Sequence, residues 1–142
     1  MTKAKVLRGL VLVMGYACVA IGLAHVLLGN AAIPGAESAG PTIDSLGRFL
    51  GATFAGYGLA WLWAARQRPI PATVVRWPTA VFLLGALGRI LSLAVEGRPD
   101  AFQLALGALE LVLSPLLFRL ADAEERTSPR STLALVMSAT PV

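Results

Sequence analysis

The chain has 142 residues, enough for one domain, of which 56% are hydrophobic and 14% charged, with a formal net charge of +4. Soluble domains carry about 25% charged residues, and a chain this short cannot hide so much apolar surface from water, because small domains leave much of their surface exposed. A water-facing globule is excluded; the basic residues sit at the ends of apolar runs rather than in a stripe, so no nucleic acid is expected as partner.

The first apolar run is Gly9 to Leu28, interrupted only by His25. Lys3, Lys5 and Arg8 precede it and imitate a signal peptide, but the run exceeds a usual signal core. Gly15-Tyr16-Ala17 is a poor lipid-attachment context for Cys18. As the single cysteine, Cys18 excludes an internal disulfide and a cysteine metal site, and it reads as a packing residue. Asn30, Pro34, Gly35, Gly40 and Pro41 then mark a loop. Asp44 or Ser45 can cap the second helix, whose run, Phe49 to Ala65, holds no charge.

Arg66 to Arg76, with Pro69 and Pro71, leads to the third run, Trp77 to Val95, which contains Arg89. Glu96 to Asp100 is a tight turn around Gly97 and Pro99. The fourth run, Phe102 to Leu120, has Glu110 near its middle and Arg119 at its end. Each run is about 17–20 residues, the length that crosses a hydrocarbon core. Backbone groups in lipid must be satisfied internally, so the runs should be helices. The expected fold is all-α, an integral membrane four-helix bundle over residues 1–121, with helices at about 6–29, 45–66, 73–96 and 101–120. Residues 122–142 are expected to be a flexible cytoplasmic tail with Asp122, Glu124 and Glu125 solvated.

Lys3, Lys5, Arg8, Arg66, Arg68, Arg76, Arg119, Arg126 and Arg130 collect on one side; Arg48 and Arg98 collect on the other with Glu37, Asp44, Glu96 and Asp100. The positive-inside rule places both termini in the cytoplasm, and Trp61, Trp63 and Trp77 are expected as interface anchors on that side.

Spacing at 100° per residue groups small and polar residues into stripes. They are Gly15, Cys18, Gly22, His25 and Gly29; Gly47, Arg48, Gly51, Ala55 and Gly58; Gly85, Arg89, Ser92 and Glu96; and Gln103, Gly107, Glu110 and Ser114. Small residues let backbones approach and polar ones hydrogen-bond across helices, so the stripes should face one another. At 1.5 Å per residue, Arg48 and His25 lie within about 5 Å of the loop-side helix ends, Arg89 about 10 Å in and Glu110 about 13 Å in. A charge at such depth is normally paired or wet, so Arg89 and Glu110 are expected to meet. Asp44 is a mate for Arg48 or His25. Arg48, where water reaches it, is expected to serve ligand contact more than folding. Glycine-rich phosphate loops and the His-x-x-Glu-His motif are absent. One histidine cannot build a typical zinc site, so no metal and no cofactor are expected.

The residues just isolated also carry a resemblance. Arg48-Phe49 followed by Gly51, Gly88-Arg89 with Ser92 and Gly97-Arg98-Pro99, and Glu110-Leu111-Val112 with Pro115 resemble a bacterial membrane family catalogued only as the domain of unknown function 4345. Gly22 and His25 fit as well, and the similarity runs from about Arg8 to Leu120. It implies a four-helix membrane fold and supplies no activity.

The favoured function is a binding or accessory protein, multi-pass in the bacterial cytoplasmic membrane. Arg48, Arg89, Glu110, His25 and Ser92 would line an outward-facing pocket for an anionic or lipid-like small molecule. Guanidinium stays charged and binds phosphate or carboxylate bidentately. The alternative is a small membrane enzyme or redox accessory in which Glu110 or His25 transfers protons. Membrane lipid is an expected partner, and a homo-oligomer or larger membrane complex is left open.

Overall fold

The computed structural model describes residues 3–36 and 38–127. These form four long helices, α1 (Lys3–Leu28), α2 (Pro41–Arg66), α3 (Ala72–Glu96) and α4 (Ala101–Thr127), with a short 3-10 turn at Gly29–Ala32. Three segments, Lys3–Ala32, Ala72–Glu96 and Ala101–Arg126, are long and apolar enough to cross a membrane. α2 is equally long at 26 residues, but Gly47, Gly51, Gly56, Gly58, Tyr57 and a polar first turn dilute its apolar content.

Two helix ends differ from the sequence expectation. α2 starts at Pro41, with Gly40 as its N-cap. Proline fits the first helical position because its missing N–H would have no partner there. Ile43 and Asp44 donate their N–H groups to the Gly40 carbonyl, so Asp44 and Ser45 lie inside the helix and do not cap it. α4 continues past Leu120 to Thr127 because Arg76 of α3 reaches Asp122 at 2.5 Å and Glu125 at 2.6 Å. Residues three apart share a helix face, so one guanidinium fastens that turn. Asp122 and Glu125 are therefore partners of Arg76, and the expected tail is helical at its start. Its remainder, 128–142, lies outside the described residues.

The helices form two hairpins. α1 packs most extensively on α2, α3 on α4, and α1–α4 and α2–α3 contacts join the pairs. Within the first hairpin the backbones touch. A Cβ at Gly22 would lie 2.5 Å from the Ala55 nitrogen, and one at Gly58 would lie 2.6 Å from the Val19 nitrogen. Only a residue without a side chain fits such an approach.

The core sits at the end carrying the N-terminus. Leu7, Val11, Met14 and Cys18 of α1 meet Trp61, Ala64 and Ala65 of α2, Val75 of α3, and Leu117 and Ala121 of α4. Tyr57 ties the hairpins by donating its hydroxyl to the Pro78 carbonyl of α3 at 2.5 Å. At the other end every residue from 90 to 102 is exposed, so the hairpins close on each other at one end only. Trp63 and Trp77 are exposed as anchors would be, but Trp61 is fully buried. Positions 61 and 63 are two residues apart, about 200° around the helix, and cannot both face outward.

Candidate functional site

The loop end of the first hairpin is tied by a set of hydrogen bonds. Helices end with four carbonyls lacking intrahelical partners. Arg48 of α2 donates Nη1 to two of them on α1, Val26 at 2.6 Å and Leu27 at 3.4 Å. Its Nε donates to Asp44 at 2.7 Å, one turn back on α2. The other Asp44 oxygen accepts the Asn30 backbone N–H at 2.9 Å, and the Asn30 amide donates to the Ala39 carbonyl at 2.6 Å. Asp44 is thus the mate of Arg48, as its spacing implies. Gly29 turns the chain into this set with a φ of +57°, and a Cβ there would collide with Asp44 and Arg48. The Arg48 bonds are those of a residue that holds helix ends together, a role different from the ligand contact expected of it.

His25 packs elsewhere. Its Cβ would lie 2.6 Å from a Cβ at Gly51, so it fills the α1–α2 contact. It makes no hydrogen bond or ion pair with a described residue.

The second hairpin carries the charged pair. Arg89 of α3 donates Nε to both Glu110 oxygens of α4, each at 3.2 Å, and Nη1 to Gln103 Oε1 at 2.6 Å. The expected contact between Arg89 and Glu110 is direct. Gly107 makes room for it, since a Cβ there would stand 3.3 Å from the Arg89 Cδ. Gly85 on α3 lies beside the Glu110 carboxylate, 3.8 Å from where its Cβ would be. One turn further along α4, Ser114 donates to the Glu110 carbonyl at 2.7 Å, fully buried.

The two charges are unequally placed. The Glu110 side chain is 10% exposed and the Arg89 side chain 38%. The carboxylate is hidden and the guanidinium faces outward, with Nη2 bonded to no described residue. That face opens on a cleft of about 350 Å³ between α3 and α4. Arg89, Ser92 and Gln103 supply its polar side chains; Ile90, Leu93, Leu104 and Leu111 supply apolar walls. Arg48, His25 and Glu110 do not line it. The four stripes therefore face one another in two pairs, α1 with α2 and α3 with α4, and the two pairs build separate polar sets.

Sequence reasoning placed Gln103 on the right stripe without giving it a role. Its signal is the seven-residue spacing to Glu110, two helical turns on one face. Among the described residues no group of three His, Cys, Asp or Glu side chains could hold a metal ion.

No curated protein and no solved structure matches this chain. The family described as "Domain of unknown function (DUF4345)" matches residues 6–121, which covers all of the first three helices but the opening of α1, and α4 through Ala121. On that match, which contains the Arg48, Arg89 and Glu110 positions alike, the chain belongs to the domain of unknown function 4345 family.

Proposed function

We propose that the protein is a four-span membrane protein that binds an amphiphile with an anionic or strongly hydrogen-bond-accepting head in the α3–α4 cleft. The observation that carries this reading is the half-exposed Arg89 guanidinium at the head of an apolar-walled cleft. A buried Glu110 orients it, and its Nη2, bonded to no described residue, is left to the ligand. Ser92 and Gln103 add hydrogen-bonding groups, and the apolar walls suit a hydrocarbon chain. Large apolar side chains such as Val13, Phe49, Leu84 and Val112 are exposed around the bundle, which fits a lipid solvent. α2 follows α1 along its length, and its 26 residues rise about 39 Å, more than the hydrocarbon core needs. Among the described residues eight of the eleven basic ones lie on the terminal side, which favours cytoplasmic termini. A proton-transfer role for His25 with Glu110 gains no support, since no hydrogen bond joins them and neither lines the cleft.

The test is native mass spectrometry of the full chain purified in mild detergent. Ala108 lines the cleft and is exposed. Ala108→Phe fills the space and leaves Arg89, Glu110 and Gln103 in place. The wild type should retain a co-purified amphiphile and Ala108→Phe should lose it with little change in thermal midpoint. An amphiphile equally retained by both would refute the site.

A further inference from the structure

A second cleft, of about 380 Å³, lies at the opposite end of the bundle and has no part in the reading above. Lys5 and Arg8 of α1, Arg68 of the α2–α3 connection and Glu124 of α4 line it, over Leu7 and Ile70. Three cations face one carboxylate on this wall, which is therefore net positive. The nearby Arg76 differs, because Asp122 and Glu125 already pair with it. Arg8 donates Nη2 to the Gln67 carbonyl at 2.7 Å, which holds the connection against α1 and brings Arg68 to the cleft that Lys5 also lines. The floor is firm, since Leu7 and Ile70 are 1% and 6% exposed. Trp63 and Trp77 are exposed toward this end, the position of aromatic anchors at headgroup depth.

We infer that this cleft binds the phosphate of an anionic membrane phospholipid, gripped by Lys5, Arg8 and Arg68. Basic pockets between helices at the cytoplasmic surface recognise lipid phosphates in this way. Free phosphate has the same chemistry, but a lipid also brings a glycerol and acyl ends to the apolar floor. The inference rests on the membrane placement proposed above and not on the α3–α4 cleft.

The experiment is titration of the detergent-purified full chain with phosphatidylglycerol or phosphatidylcholine of matched acyl chains, read by native mass spectrometry. Lys5→Gln/Arg68→Gln removes two charges from the cleft; Lys3→Gln/Arg126→Gln removes two from the same end outside it. Phosphatidylglycerol should bind the wild type several-fold better than phosphatidylcholine. The cleft pair should weaken it about tenfold or more, and the control pair by less than about twofold. Lys5→Arg/Arg68→Lys, which keeps the charge, should retain the selectivity and guards against a folding effect. Equal losses in both charge-removing pairs, or equal binding of the two lipids, overturns the site. Displacement of phosphatidylglycerol by millimolar inorganic phosphate overturns the lipid as occupant. Because the lipid comparison is made on one folded protein, Ala108→Phe can fail its own test without touching this result.

Discussion

The two hairpins are built on opposite principles. In α1–α2 the backbones are in contact through Gly22 and Gly58, and Arg48 and Asp44 seal the loop end. In α3–α4 the loop end is open from residue 90 to residue 102, and a charged pair stands where apolar side chains would otherwise interdigitate. Close packing leaves no room for a ligand; a site needs space that side chains decline to fill. The first hairpin is thus the scaffold and the second carries the cleft, with the shared core near the terminal end holding them together.

The largest contrast should come from glycine. Gly22→Ala puts a Cβ 2.5 Å from backbone atoms that cannot move aside, so it should cost about 3 kcal/mol or more, seen as lost folded yield. Gly88 on α3 has nothing within 4 Å of its would-be Cβ. Gly88→Ala should be neutral or stabilise by about 0.5–1 kcal/mol through helix propensity. Similar losses at both positions would erase the distinction between the hairpins.

The charged pair comes next. Arg89→Leu leaves the buried Glu110 without its cation and should cost about 3 kcal/mol, near the lower end for broken buried pairs. Glu110→Leu leaves a half-exposed guanidinium that still holds Gln103, so about 1 kcal/mol is expected after allowance for solvent. The double variant should recover part of the larger loss. Thermal midpoints of the four proteins in detergent give the cycle, and strict additivity would mean that the pair does not interact.

A smaller effect belongs to the clamp. Arg48→Ala should lower the midpoint by about 1 kcal/mol equivalent and leave any co-purified amphiphile bound. The hydrogen bond from Arg48, and then that from the Asn30 backbone, hold the Asp44 carboxyl below the usual carboxylate range. A carboxylate held low when folded contributes stability that is present above its unfolded pKa of about 3.9. That contribution is lost as pH falls through the folded value. Asp44→Asn should therefore lower stability on the neutral side and flatten the fall in stability below about pH 4, so that wild type and variant converge in acid.

Much of this was legible in the residues. Apolar runs of spanning length fixed the four helices, and the depths of Arg89 and Glu110 brought them into direct contact. The stripes found the small and polar faces but not which stripe meets which. Helical period says where a residue points, whereas partner choice depends on how the hairpins part at the loop end. The bonds of Arg48 are hidden from the sequence for a related reason. Its closest acceptors include the Val26 and Leu27 carbonyls, and backbone acceptors leave no mark in a sequence. The length of α4 was hidden because Asp122 and Glu125 look like a solvated tail until Arg76, 46 residues away from Asp122, is placed beside them.

The most direct test of the division into scaffold and cleft is photocrosslinking from one position on each hairpin. A photoreactive amino acid at Ser92 stands in the α3–α4 cleft; one at Ser45 stands exposed at the loop end of α2. After irradiation in cells and intact-mass measurement, the Ser92 protein should carry an adduct of one defined amphiphile mass. Ala108→Phe should remove that adduct, and the Ser45 protein should carry only a spread of bulk lipid masses. The same spread at both positions, unchanged by Ala108→Phe, would contradict a binding cleft headed by Arg89.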